Sequence, residues 1–400
     1  MGTQRVVLRR HHVLDCSRHA FRRVPRQAEA YAYTRIRKES AHRGKLARMR
    51  GGFLLDPDVA YFNHGGYGAC PVEVFEEYQR LQRELEADPT HFFVRRFEVA
   101  MWDARTALAA FVGAAPRDLV FTPNATSALN AVIRSLRIRP EEEILTTKHE
   151  YGAILRTLGF IRANVVLVEP DELIENISIR TRAVVVSHIT SPTALVLSVE
   201  EICAAARRAG VLSIVDGAHV PGHVSLDIES VGADVYAGNC HKWLCAPKGS
   251  GFLWARPEHQ DWIEPLVVSW GYREDAGFGE RHGWQGTRDP AAYLAVPAAI
   301  AAHAAFDAQA AAALADEAER RLGQLGLRPL RGDRAPLMRA FTVKSQHPAA
   351  LQSRLYSDHG VELPVYDWED TTLARVSIGP YNDEADLDRL VDAFRDSLAR

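Results

Sequence analysis

VLSIVDGAHVPGHVSLDIESVGADVYAGNCHK, Val211–Lys242, decides how the rest of the chain is read. Two of its apolar runs, Leu212–Val215 and Val235–Gly238, have the composition of buried parallel strands. Asp216 ends the first run, and His241 and Lys242 lie just past the second. In open α/β sheets, ligands collect at the carboxyl ends of the strands. An acid and a lysine are therefore delivered to one rim. A lysine amine forms a Schiff base with an aldehyde cofactor, and a carboxylate keeps a proton on a pyridine nitrogen. The pair suits pyridoxal 5′-phosphate (PLP), whose ring then acts as an electron sink. Singly, each residue has a plainer reading: a strand-end Asp caps helices, and a Lys is a solvated charge. Lys242, however, precedes Trp243, Leu244, Cys245 and Ala246. Burial among such residues lowers a lysine pKa and favours the neutral nucleophile.

Working outward, similar apolar runs occur at Leu119–Phe121, Ile144–Thr147, Val165–Val168 and Ala183–Ser187, and again at Gly251–Trp254. Helical stretches at Ala125–Leu136, Ala153–Ile161 and Val199–Ala209 separate several of them. The alternation predicts a seven-stranded, mostly parallel α/β sheet covered on both faces. Upstream, Pro71 opens a helix, and a second covers Glu98–Phe111. Downstream, the Ala-rich run Ala291–Leu322 reads as one long helix, bent near Pro297. Short strands at Met338–Val343 and Ala374–Ile378, with helices at Pro348–His359 and Glu384–Leu398, predict a small C-terminal α+β domain. The expected divisions are a basic extension at 1–48, a segment lining the active site at 49–71, a large cofactor-binding domain at 72–300, and the long helix with the small domain at 301–400.

The net charge of −3 argues against a nucleic-acid or membrane partner for the body of the chain. The first 50 residues carry 14 Lys and Arg against 3 acids. They hold few periodic apolar positions, so this segment is expected to lie apart from the fold, and Met49 is an alternative start. Five scattered cysteines without framework spacing point to a reducing cytoplasm and to no metal site. No apolar stretch is long enough to span a bilayer.

The loops after the strands carry the remaining chemistry. Asn124, Ala125 and Thr126 open a helix and offer N–H groups to an anion such as a phosphate, although the same residues serve as a plain N-cap. Tyr151 offers a ring to stack on a pyridine. His188 and His219 offer imidazoles to a cofactor oxygen, or are simply satisfied loop histidines. Arg375 offers a fork for a carboxylate. YFNHGGYGAC at Tyr61–Cys70 is a glycine-rich loop able to approach a ligand closely.

Together, VDGAH at Val215–His219, GNCHKW at Gly238–Trp243, the pair Gly286-Thr287 and ARVSIGPYN at Ala374–Asn382 resemble the class V aminotransferase family of fold-type I PLP enzymes. NHGGYGACP and SHITSPTALVLSVEE are most similar to its isopenicillin N epimerase-like branch. The resemblance implies Lys242 as the Schiff-base lysine and Asp216 as the pyridinium partner. It implies Asn124, Ala125, Thr126 and His241 at the phosphate, and His219 and His188 near the phenol oxygen. Tyr151 falls where many relatives place a stacking His. Thr287 is implied to reach the phosphate of a partner subunit, in a homodimer with shared sites. Asn63, His64 and Arg375 are implied to hold the substrate. Desulfurases of the family need a mobile cysteine in the C-terminal third, and this chain has none after Cys245. A persulfide-forming desulfurase is not expected.

The expected activity is chemistry at the α-carbon of an amino acid or amino-acid conjugate, isopenicillin N epimerase-like. The rivals are C–S β-lysis or decarboxylating deamination of a cysteine S-conjugate in antibiotic biosynthesis, aminotransfer, and a catalytically idle binding protein. For epimerisation, Tyr151 or His64 is the candidate second acid.

Overall fold

The computed structural model describes residues 4–7, 52–345 and 347–398. The strands are β1 (Gln4–Val7), β2 (Ala60–Tyr61), β3 (Leu119–Thr122), β4 (Glu143–Thr147), β5 (Asn164–Val168), β6 (Thr181–Ser187), β7 (Leu212–Gly217), β8 (Val235–Asn239) and β9 (Gly251–Ala255). They continue as β10 (Arg328–Pro329), β11 (Met338–Val343), β12 (Val361–Glu362), β13 (Val365–Trp368) and β14 (Thr371–Ser377). The main sheet has the order β1-β5-β4-β6-β7-β8-β9-β3. All seven expected strands are in it. From β5 to β8 neighbouring strands are parallel, and β9 runs against both β8 and β3. The basic N-terminal segment is described only at β1, which pairs antiparallel with the β5 edge. The rest of that segment lies outside the described residues.

Alternation along the strands splits the core. Ile214, Val235, Ala237 and Leu253 face one side, where α3 (Ala125–Ser135) and α4 (Gly152–Phe160) bury Leu129, Val132, Ile154 and Leu158. Val215, Tyr236 and Phe252 face the other, under α1 (Val72–Ala87), α2 (Phe97–Val112) and α5 (Val199–Arg208). Strands buried on both faces read as continuous apolar runs, which is why they were visible in the sequence.

The Ala291–Leu322 run is not one helix. It forms α6 (Ala291–Leu294), α7 (Val296–His303) and α8 (Ala308–Gln324), and the axis turns by 81° between α7 and α8. The turn lies not at Pro297, which sits in the first turn of α7, but before Asp307, whose carboxylate accepts from Ala310 N and starts a new helix. The small domain holds α9 (Pro348–His359), α10 (Glu384–Leu398) and the antiparallel sheet β10-β11-β14-β13. The short β2 pairs parallel with β12, tying the N-terminal segment to this domain. Among the described residues, no single helix is long and apolar enough to cross a membrane.

Candidate active site

Parallel strands end together, so the β6, β7 and β8 termini deliver Ser187, Asp216 and Asn239 to one rim. A cavity of about 270 Å³ opens there. Lys242, Asp216, His219, His241, Asn124, Thr126 and Tyr151 line it, with Ser187, Asn239, Gly66 and Gly249.

At one end, Asp216 is 4 % exposed. Its Oδ1 accepts from Ala218 N at 2.8 Å. Burial raises its pKa, while the Ala218 N–H and Lys242 pull it down. Next to it is a residue to which the sequence reading gave no role. Glu150 is buried and accepts from Tyr151 N and Ser187 Oγ, each at 2.7 Å, while its Oε2 is buried without a partner. Burial, then the neighbouring Asp216, raises the Glu150 pKa. Two buried carboxyls this close do not both ionise readily, so Glu150 keeps its proton when Asp216 is charged.

Lys242 lies on the loop after β8, and its Nζ is 3.1 Å from His219 Nε2. Burial first, then the Arg375 guanidinium, lowers its pKa to about 7, against the pull of Asp216. Gly68 presses on this loop with φ +67°, and a Cβ there would sit 1.9 Å from His241 O. Only glycine fits.

At the other end, α3 presents its N-terminus. Asn124 caps it, accepting from Ser127 N at 2.8 Å. The Ala125 N–H donates to Asn239 Oδ1 at 2.8 Å, so it is not available to an anion, contrary to the sequence reading. Thr126 remains, together with His241, whose Nδ1 donates to Ser250 O at 2.9 Å and leaves Nε2 for the cavity. Burial lowers the His241 pKa to about 4. A bound anion would draw a proton back onto it.

Three further expectations need correction. His188 does not line the cavity: it is buried, with Nδ1 3.0 Å from the Tyr236 hydroxyl. The alternation past β6 sends Ser187 and Ile189 to the cavity and His188 away from it. His64 is fully buried, with Nδ1 3.1 Å from Tyr381 Oη and Nε2 3.6 Å from Cys245 Sγ. Asn63 is buried too, and Gly66 lines the cavity in their place. Arg375, on β14, donates from one terminal nitrogen to Ser191 O at 2.5 Å and to Ser191 Oγ at 3.1 Å. Its Nε is buried without a partner. Thr287 is exposed and outside this cavity.

A cavity with a lysine of lowered pKa, a buried carboxylate and an anion cup at a helix N-terminus fits PLP, whose aldehyde, ring nitrogen and phosphate need those three groups.

Comparison with known proteins agrees. An isopenicillin N epimerase from Streptomyces clavuligerus is 34% identical over 386 residues, which is 86% of this chain and 96% of that protein. A probable chloroplastic L-cysteine desulfhydrase from Arabidopsis thaliana is 27% identical over 61% of this chain and 58% of its own length. The cysteine desulfurase CsdA from Escherichia coli shares the fold, with a TM-score of 0.74 at 24% identity over 88% of this chain and 97% of that one. The sequence pattern of the family described as aminotransferase class-V matches residues 60–390, and the chain belongs to this PLP-dependent enzyme family.

Proposed function

We propose that this enzyme acts at the α-carbon of an amino acid or amino-acid conjugate, in the manner of the isopenicillin N epimerases it is similar to. The observation supporting this is the low-pKa Lys242 amine facing the same cavity as buried Asp216. When bound, PLP supplies a cationic ring that draws off the electron pair left at the α-carbon. Asp216 keeps the proton on the ring nitrogen, because a buried carboxylate favours the cation opposite it. Thr126, Asn124 and His241 hold the phosphate. Lys242 takes the α-proton, a substantial share of it being neutral near pH 7 because burial brings its pKa down to about 7. Arg375 holds the substrate carboxylate, with its unpartnered Nε as the spare donor. Tyr151 lines the cavity, and desolvation of its hydroxyl there, then Asp216, raises its pKa, so the phenol stays protonated. It is the acid we assign to the face opposite Lys242; His64, enclosed by Tyr381 and Cys245, is not.

A second reading, β-elimination from a cysteine S-conjugate, is supported by the L-cysteine desulfhydrase relatives. It needs Lys242 as base and no second acid. We also propose a homodimer. Trp270, 87 % exposed, lies with Phe93, Val94, Trp102 and Trp284 along a groove of about 900 Å³ whose lining includes Arg288, the residue after Thr287. A second copy covers this apolar surface and brings Thr287 to its neighbour's phosphate.

The test is incubation of the loaded enzyme with candidate amino acids in deuterium oxide. Deuterium at the α-carbon with both epimers recovered supports epimerisation. Release of a thiol with a keto acid and ammonia favours elimination. A borohydride-trapped label on a lysine other than Lys242 overturns the site.

A further inference from the structure

We propose that Trp243 is a positioning residue for Lys242: its indole N–H locks His219 as the Nε2–H tautomer, and His219 then donates to Lys242 and holds it as a free amine. The proposal rests on Lys242 being the reactive lysine, as above.

Hydrogen-bond chemistry carries the argument. An indole N–H only donates. Trp243 Nε1 lies 3.3 Å from His219 Nδ1, so Nδ1 must be the accepting lone pair. Burial keeps His219 neutral, and Lys242, Arg375, His223 and His241 add to that. A neutral imidazole with a bare Nδ1 carries its proton on Nε2. That Nε2 is 3.1 Å from Lys242 Nζ. An ammonium has three donors and no acceptor, so only the neutral amine completes this contact. A hydrogen bond given to the neutral form disfavours the charged one.

The indole has little freedom to abandon this role. The His223 ring lies against it, with centroids 4.1 Å apart and planes 31° from parallel. The His64 ring is 5.0 Å away on centroids. Gly65 leaves no room around it: a Cβ there would meet Met338 Sδ at 2.8 Å and Trp243 Cζ2 at 3.3 Å. His223 is itself fixed. Leu337 N donates to its Nε2 at 3.0 Å, so its Nδ1–H donates to His219 O, also at 3.0 Å. Thus Trp243 sets the His219 ring, and His223 holds the His219 backbone. The charged groups facing Lys242 come from other elements: Arg375 on β14 pushes it toward the amine, and Asp216 on β7 pushes the other way. Neither acts through Trp243.

The test uses the full chain stripped of PLP with hydroxylamine. Nitrogen-15 spectra of histidine-labelled protein should show His219 protonated at Nε2 and bare at Nδ1. Competitive acetylation of Lys242 across pH, read by mass spectrometry, should titrate near the value of about 7. In Trp243→Phe, His219 is free to turn its Nε2 lone pair to an ammonium. The Lys242 midpoint should then rise by about one unit, a roughly fivefold loss of free amine at pH 7. In a His219→Gln background, adding Trp243→Phe should cause no further shift. A proton on His219 Nδ1 in the unsubstituted chain overturns the proposal, even if the Phe variant does not fold. An unmoved midpoint in Trp243→Phe, or a shift that persists with Gln at 219, does the same. None of these outcomes touches the identity of the reactive lysine, which the borohydride label decides.

Discussion

Asp216→Asn removes one charge from the cavity and almost nothing else. The amide keeps an oxygen where Oδ1 accepts the Ala218 N–H at 2.8 Å, so the turn after β7 is preserved. The other side-chain atom changes from an acceptor to a donor, where the proposed reading needs an acceptor for the protonated ring nitrogen. With 4 % exposure, little water can replace the lost charge. Breaking one side of a buried charge pair costs ~3–5 kcal/mol. Taken as lost transition-state stabilisation, that is a slowing of roughly 10²–10⁴ in α-proton removal. PLP binding should survive, because Lys242 and the anion cup remain. A mere turn-forming acid predicts the reverse: about 1 kcal/mol of stability lost and normal turnover. The assay is single-turnover loss of the label from an α-deuterated substrate, alongside thermal unfolding. Near-normal label loss in a folded, PLP-loaded Asn variant would refute the pairing of Asp216 with the ring.

Arg375→Lys exchanges a buried fork for a point charge. Losing one charged hydrogen bond of ~1.5–3 kcal/mol should raise KM about tenfold to a hundredfold with a smaller change in kcat, measured by steady-state kinetics. Gly68→Ala puts a Cβ 1.9 Å from His241 O at a φ of +67°, and should cost on the order of 2–4 kcal/mol in denaturant unfolding. Because burial brings Lys242 down to about 7, acetylation of its free amine should rise about tenfold from pH 6 to pH 8 and then level off. A lysine at its ordinary value would keep rising beyond pH 10. Sedimentation at dilute concentration should give a dimer, and an active monomer would exclude the shared site assigned to Thr287.

The strands were legible because each is buried on both faces and bounded by turns, and Lys242 and Asp216 were legible because strand ends converge. What the sequence did not reveal depends on side-chain direction or on distant partners. His188 follows β6 as Asp216 and Lys242 follow or end their strands, yet the pleat turns it to Tyr236. Ala125 looked like an anion donor, but Asn239, over a hundred residues away, takes its N–H. Nothing local to Glu150 in the sequence marks it as buried beside Asp216. In the sequence Trp243 is one of several apolar neighbours of Lys242; its N–H matters only once His219 is beside it. The Ala-rich run has helix propensity throughout, and the capping carboxylate of Asp307 overrides it.

The pairing of β2 with β12 has a mechanical consequence. Ala60 and Tyr61 are stitched to Val361 and Glu362, and Ser377 N donates to Phe62 O at 2.8 Å, two residues along β14 from Arg375. Gly66, four residues past Phe62, thereby follows a segment hydrogen-bonded to the strand that carries Arg375, the residue proposed to hold the substrate. Most of the cavity lining comes from the loops after the main-sheet strands, and Gly66 comes from a segment hydrogen-bonded to the small domain. If Arg375 holds the substrate carboxylate as proposed, a shift of β14 on binding is expected to reach the glycine loop through these hydrogen bonds, and slowed amide exchange at Gly65 and Gly66 with substrate bound would check it.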